Sequence, residues 1–197
     1  MTQKLKPIKV QETLRAKGLR LFSPEEFRRI FSVKEWAAQA FIKNHTKDIF
    51  IKLRNGLYGL KSDPPAELEI ANRLYFPSYV SFEYALAHYR IIPESVYTIT
   101  SATPKITREF TAQEKSYEYY RIKIEAYRGY RSEKKGQGVI FIAEPEKALI
   151  DYLYFVDLKR RTLNERLNLR NINKKSVLSY AHFFKRKSLT KLVKSIL

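Results

Sequence analysis

Cysteine is absent from the 197 residues. That removes disulfides, thiolate zinc sites and thiol catalysis together, and it suits a reducing compartment. A signal peptide is not expected, because Met1-Thr2-Gln3-Lys4-Leu5-Lys6 has no apolar core behind it. No apolar run approaches the about 18 residues that a membrane span needs. These lacks lead to the expectation of a cytoplasmic chain with no membrane partner. Histidine is scarce as well: His45, His88 and His182 stand far apart, lack metal-ligand spacing and read as ordinary surface or core residues. No nucleophile elbow and no phosphate-cradling glycine loop occurs, and Gly136-Gln137-Gly138 reads as a turn. Internal repeats and low-complexity tracts are missing. The expectation is a non-enzyme without metal or cofactor.

Acid is the other shortage. Aspartate and glutamate number 20 against 38 lysines and arginines, a net charge of +18. Self-repulsion of that size does not help folding, so it points to a polyanionic partner such as nucleic acid. The charge is uneven. Residues 1–61 hold 14 basic and five acidic residues, a net of +9; residues 62–157 hold 12 and 14, a net of −2; residues 158–197 hold 12 and one, a net of +11. Two basic ends therefore flank a nearly neutral middle. With 44% hydrophobic residues, 12 Phe and 14 Tyr, the chain can bury a core.

The basic first segment carries helix signals. Residues 8–17 suit a helix that ends near Gly18. Ser23-Pro24-Glu25-Glu26 is a capping box with proline at the first helical position, and Phe27, Ile30 and Phe31 form the buried side, leaving Arg28 and Arg29 outside. Ser32-Val33-Lys34-Glu35 reads as a second capping box. Behind it Val33, Trp36, Ala37, Ala40 and Phe41 share one helical face, which is expected to be inward. The outer face then carries Lys34, Ala38, Gln39, Ile42 and Lys43, with small Ala38 allowing close approach of a partner. Next, Ile49, Ile51 and Leu53 alternate with Phe50, Lys52 and Arg54. Asn55-Gly56 is a strong two-residue hairpin signal, and the return strand is Leu57-Tyr58-Gly59-Leu60.

Three helices and a hairpin in about sixty residues is the order of a winged helix-turn-helix, whose third helix enters the major groove. On that reading Lys34, Gln39 and Lys43 face base edges. Arg54 and Asn55 sit at the wing tip, where a narrow minor groove concentrates negative potential. Lys52 and Arg28 or Arg29 contact phosphates.

Asp63-Pro64-Pro65 marks a boundary, giving domains of 1–61 and 62–197. Helices are expected from Glu67 to Tyr75 and from Ser81 to Tyr89. Strands follow at Val96–Thr100, Ile106–Phe110, Tyr117–Tyr127 and Val139–Ile142, with Ile106–Phe110 pairing with Val96–Thr100. Gly129 and Gly136-Gln137-Gly138 bracket a turn. Helices from Pro145, over 162–170, from Asn173 to Lys185 and from Ser188 complete the chain. The fold class is α+β: a winged helix-turn-helix, then a mixed α/β domain with an antiparallel sheet and basic C-terminal helices.

Three further chemistries fit parts of the chain. The basic C-terminal helices, with Lys185, Arg186 and Lys187, offer a second anion-facing surface. The Tyr117–Arg121 face, centred on Tyr119, has the composition of a platform that stacks single-stranded RNA bases. Glu144, Glu146 and Asp151 fall within eight positions, as a metal-dependent nuclease would need, although acids are also expected at a helix N-terminus.

Four blocks of the chain resemble the AbiEi family of bacterial antitoxins. They are the hairpin region ending in Asn55-Gly56-Leu57-Tyr58, the run Pro77-Ser78-Tyr79-Val80-Ser81-Phe82-Glu83-Tyr84-Ala85-Leu86, Thr98-Ile99-Thr100-Ser101-Ala102-Thr103, and Ala143-Glu144-Pro145-Glu146-Lys147-Ala148-Leu149-Ile150-Asp151. They span about residues 20–155. The family often has an arginine directly before the wing glycine; here Asn55 stands there and Arg54 is one position earlier. The resemblance implies an antitoxin of a type IV toxin–antitoxin (abortive infection) pair. Its winged helix would bind inverted repeats in its own promoter duplex and repress transcription. Its C-terminal domain would counteract a nucleotidyltransferase-like toxin without a stable complex.

Overall fold

The computed structural model of the chain describes residues 5–135 and 138–197. It divides into two compact units. The first runs to Leu74 and takes in Lys135 and Gly138; the second holds Tyr75–Lys134 and Val139–Leu197.

In the first unit, α1 (Pro7–Ala16), β1 (Leu21–Phe22), α2 (Pro24–Phe31), α3 (Glu35–Asn44), β2 (Phe50–Arg54), β3 (Leu57–Leu60) and α4 (Glu67–Leu74) follow in that order. The helix α1 stops where Gly18 turns to a φ of +64°, a conformation that suits a residue without a Cβ. The expected capping box starts α2: Ser23 accepts from the Glu26 N–H, and Glu26 accepts from the Ser23 N–H at 2.7 Å. The second expected box does not form. Ser32 instead closes α2 in a left-handed conformation, and Lys34 takes the N-cap of α3 without a side-chain bond.

The strand β3 lies between β1 and β2, antiparallel to both. Helices and sheet meet over Val10, Leu14, Phe22, Phe27, Ala38, Ile42, Phe50 and Leu60. The Phe22 and Phe50 rings meet edge-on at 5.0 Å, a favoured aromatic geometry.

The boundary lies beyond the expected Asp63-Pro64-Pro65 break, because α4 is tied back to the first unit. Arg20 pairs with Glu69 at 2.5 Å and Arg73 with Glu26 at 2.6 Å. The Arg54 Nε–H donates to the Leu74 carbonyl at 2.9 Å.

The second unit carries β4 (Tyr79–Val80), α5 (Phe82–His88), β5 (Ile99–Thr103), β6 (Arg108–Ala112), β7 (Lys115–Arg121), β8 (Tyr130–Lys135), β9 (Gly138–Ala143), α6 (Pro145–Asp157), α7 (Lys174–Phe183) and α8 (Lys187–Ile196). The sheet order is β6-β7-β5-β4-β9-β8. The expected all-antiparallel sheet is in fact mixed: β5 runs parallel to β7, and β4 parallel to β9. The strand β6 folds back on β7 rather than on β5, so β5 meets β7 with its direction unreversed. The expected strand at Val96 begins later, at Ile99, and is buried at all five positions, as a central strand should be. Residues 130–135, expected within a turn, form β8. Gly136 and Gln137 of the expected turn lie outside the described residues.

No helix forms over 162–170. The Asn164 and Asn168 side chains accept from the N–H groups of Arg166 and Arg170. These local bonds compete with a helical ladder and hold the chain in turns. At α8 the expected cap, Ser188, donates its hydroxyl to Asp157 at 3.0 Å, and Arg186 is the N-cap.

The helix α6 packs against α5, α7 and α8 and buries Ala148, Leu149, Ile150, Tyr152, Leu153 and Phe155. It also buries two charges. Lys147 and Asp151, one turn apart, form an ion pair with side chains 1% and 0% exposed. The second oxygen of Asp151 accepts from the Tyr79 hydroxyl at 3.0 Å and the Ser81 hydroxyl at 2.8 Å. Burial pushes the Asp151 carboxyl up and the Lys147 ammonium down, while their mutual attraction opposes both shifts. Such a pair is tolerated when its remaining lone pairs are hydrogen-bonded.

Candidate nucleic-acid interface

The third helix is rotated by about one residue, roughly 100° of turn, from the expected orientation. Ala38 and Ile42, expected outside, are its buried residues. Val33, Ala37 and Phe41 are half-buried at the flank, whereas Trp36 and Ala40, expected inside, face out. Both sectors are apolar enough to read as inward in the sequence. Ala38 and Ile42 lie within the core, and from the expected sector Val33 and Phe41 still pack against it, Phe41 stacking on Phe27 at 5.7 Å. The small outer residue that permits close approach is therefore Ala40.

The outward face carries Trp36, Gln39, Ala40 and Lys43, at positions i, i+3, i+4 and i+7. Lys34 is exposed at the N-cap. Gln39 faces out as expected, but its side-chain amide donates to Glu35 at 3.0 Å. That contact uses one N–H of the amide and leaves its second N–H and its oxygen available. Trp36 and Ala40, expected inward, and Glu35, expected only as part of a capping box, are the members of this face that the sequence did not place outward. The sole signal for Trp36 is its own isolation, as the one tryptophan of the chain.

In the first unit Lys6, Lys9, Lys17 and Lys47 are exposed without ion pairs among the described residues, and ten other basic residues fall into two groups. Arg15, Arg20, Arg54, Lys61 and Arg73 spend their donors on carbonyls or carboxylates of the same unit. Arg28, Arg29, Lys34, Lys43 and Lys52 are exposed and make no ion pair among the described residues. The second group is the expected set with Arg54 removed.

Arg54 departs from its expected role at a hairpin tip. Its guanidinium folds back, with Nε on the Leu74 carbonyl and Nη1 on the Asn55 carbonyl at 2.6 Å. Leu74 ends α4, so the charge sits at a helix C-terminus, where the dipole favours a cation. The hairpin is also not a simple two-residue turn. Gly56 has a φ of +77° while Asn55 stays at negative φ, and the register slips between Lys52 and Arg54. A left-handed glycine closing a bulge takes up the extra residue. The bulge places Phe50 and Leu53 on the buried side and leaves Lys52 in solvent. Asn55 is exposed at the tip.

The C-terminal basic cluster is partly neutralised within its own unit. Arg186 binds Asp157 at 2.6 Å and Lys185 approaches Glu125 at 3.4 Å, while Lys187 is exposed without an ion pair among the described residues. The tyrosine platform is not presented. Tyr117 and Tyr119 are fully buried, and the Tyr119 ring packs against Tyr75 at 5.3 Å and Phe110 at 5.7 Å. Tyr120 is half-buried beneath Arg161, whose guanidinium lies 4.4 Å from its ring, and burial pushes its hydroxyl up to about 12.

The three carboxylates point to separate tasks. Asp151 belongs to the buried pair, Glu144 accepts from Tyr180 at 2.6 Å, and Glu146 accepts from the Asn173 N–H at 3.0 Å. Among the described residues no group of three or more His, Cys, Asp or Glu is placed to hold a metal. No described helix is long and apolar enough to cross a membrane. No family model matches the chain, and no curated protein matches it.

Proposed function

We propose that the chain is a duplex-DNA-binding transcriptional regulator whose first unit is a winged helix-turn-helix. One observation carries this reading: Arg28 and Arg29 on α2, Lys34 and Lys43 at the two ends of α3, and Lys52 on β2 are exposed cations without ion pairs among the described residues. Arg15, Arg20, Arg54, Lys61 and Arg73 are already engaged. A surface that keeps its cations unpaired next to a helix with a small residue at its centre suits a phosphate-lined groove. The order of α1, β1, α2, α3, β2 and β3, with β3 between β1 and β2, supports the same reading.

On this reading α3 lies in the major groove with Gln39 and Lys43 toward base edges. Lys34, Lys52 and the α2 arginines hold phosphates. The wing is the β2–β3 hairpin, with Asn55 at its tip. The resemblance to AbiEi antitoxins extends the proposal: the duplex is the chain's own promoter, and the second unit acts against a nucleotidyltransferase-like toxin.

A titration at several salt concentrations tests the reading. Duplex from the region upstream of the gene is compared with a shuffled duplex of equal composition. Preference for the native duplex by roughly 10³-fold, in the range of specific binders, is expected. Equal binding that fades equally with salt would leave only nonspecific attraction and refute the regulator.

A further inference from the structure

We propose that Trp36 reads thymine: its indole packs on a thymine 5-methyl group in the major groove and sets much of the sequence preference. The inference rests on the duplex-binding reading and names a base feature that it recognises. Trp36 is the one tryptophan of the chain, stands in the first turn of α3 and is 67% exposed. It has no ring contact or hydrogen bond among the described residues. An indole on an otherwise polar face gives up favourable burial as long as water covers it. The core does not explain its position, because Ala38 and Ile42 hold the helix down without it.

The neighbours of Trp36 limit what can cover it. Gln39, Ala40 and Lys43 share its face, Lys34 stands at the helix start, and the one carboxylate beside it, Glu35, is held by the Gln39 amide. The partner must therefore offer an apolar group amid acceptors and negative charge. The thymine methyl is the apolar group that the major groove displays, and it lies among base acceptors between two phosphate rows. A second copy of this chain fits poorly, because residues 1–61 carry +9 and would bring like charges together. The indole N–H is free to donate to a base acceptor or a phosphate. Ala40, one turn along, keeps the backbone close enough for the ring to reach the groove floor.

The single tryptophan makes the test direct. Full-length protein, Trp36→Ala and Trp36→Phe are titrated with three duplexes: the upstream duplex, the same duplex with deoxyuridine replacing thymidine, and a shuffled duplex. Indole emission is followed in the wild type, and circular dichroism checks that each variant is folded. Four results are expected together. The emission moves to the blue and saturates with the upstream duplex. The wild type loses roughly tenfold or more on deoxyuridine DNA, in keeping with one lost base contact. Trp36→Ala loses a similar factor on the thymidine duplex and little further on the deoxyuridine one, so the two changes are not additive. Trp36→Phe falls between.

If the upstream duplex is preferred but the alanine variant binds it equally well, the inference fails and the regulator stands. If both changes act additively, Trp36 touches something other than the methyl group. If emission shifts with protein concentration alone and Trp36→Ala abolishes a dimer in sedimentation, a second copy covers the ring. If the wild type does not distinguish the duplexes, the regulator reading and this one fall together.

Discussion

Asp151→Asn should unfold the second unit far more readily than its single-atom change suggests. The substitution keeps an oxygen that can accept from Tyr79 or Ser81 but removes the charge facing Lys147. Lys147 is then left fully buried against Tyr79 and Phe184 with no counterion, and its burial already works against the ammonium. Breaking a buried pair from one side costs about 3–5 kcal/mol. Lys147→Met in the same background removes the orphaned charge, so the double variant should regain about half of the loss or more, whereas independent sites would show simple addition. Urea unfolding followed by near-ultraviolet circular dichroism of the tyrosines suits the test. Of the 14 tyrosines only Tyr58 lies in the first unit, so the signal reports the second. A loss below about 1 kcal/mol for Asp151→Asn, the ordinary size of a surface change or less, would refute the reasoning. So would a double variant whose loss equals the sum of the singles.

Lys52→Ala should lower the slope of log affinity against log salt by about one, as expected for one phosphate contact, with an unchanged slope removing Lys52 from the interface. Arg54→Ala should instead leave that slope unchanged and reduce stability by about 1 kcal/mol, the size of a partly buried hydrogen bond to a helix end; a slope that falls by one would put the guanidinium on DNA. Glu26 is raised by burial but lowered more by Arg73 and the Ser23 N–H, and its net pKa lies below the usual value. Its contribution is therefore present above the unfolded carboxyl pKa and lost as pH falls through the lower folded value. Glu26→Gln should remove this acid-side loss, and equal melting of both proteins from neutral pH to pH 3 would contradict it.

The sequence was most readable where one residue type has one job. The Ser23–Glu26 box and Gly18 each answer a local backbone need, and each falls where its chemistry places it. Local rules failed where two local answers were equally good. The third helix carries two apolar sectors, and only its packing on the rest of the unit chooses how far each is buried. That choice displaced Trp36 from the core and put Ala38 into it. The strand β8 was hidden because Tyr130–Lys135 is polar, as an outer strand can be. The parallel pairing of β5 with β7 depends on contacts far apart in the chain, which periodicity does not record. Among the expected DNA-facing residues, the lysines and Gln39 of α3 needed only exposure and kept it. Arg54 depended on what lay beside the hairpin, and α4 lay there.

The order of the six-stranded sheet bears on how the second unit can meet other proteins. Its two outer strands are β6, with Arg108 and Glu109 exposed, and β8, with Arg131, Glu133 and Lys134. Charges of both signs along both rims make it costly for a foreign strand to continue the ladder, since each added pair would desolvate them. The charged rims thus disfavour strand addition by a partner and leave the helices and loops of this unit as the readier surfaces. The same rims guard the chain against edge-to-edge stacking during folding, when the apolar, β-prone Val139-Ile140-Phe141-Ile142 of β9 would otherwise be an adhesive segment.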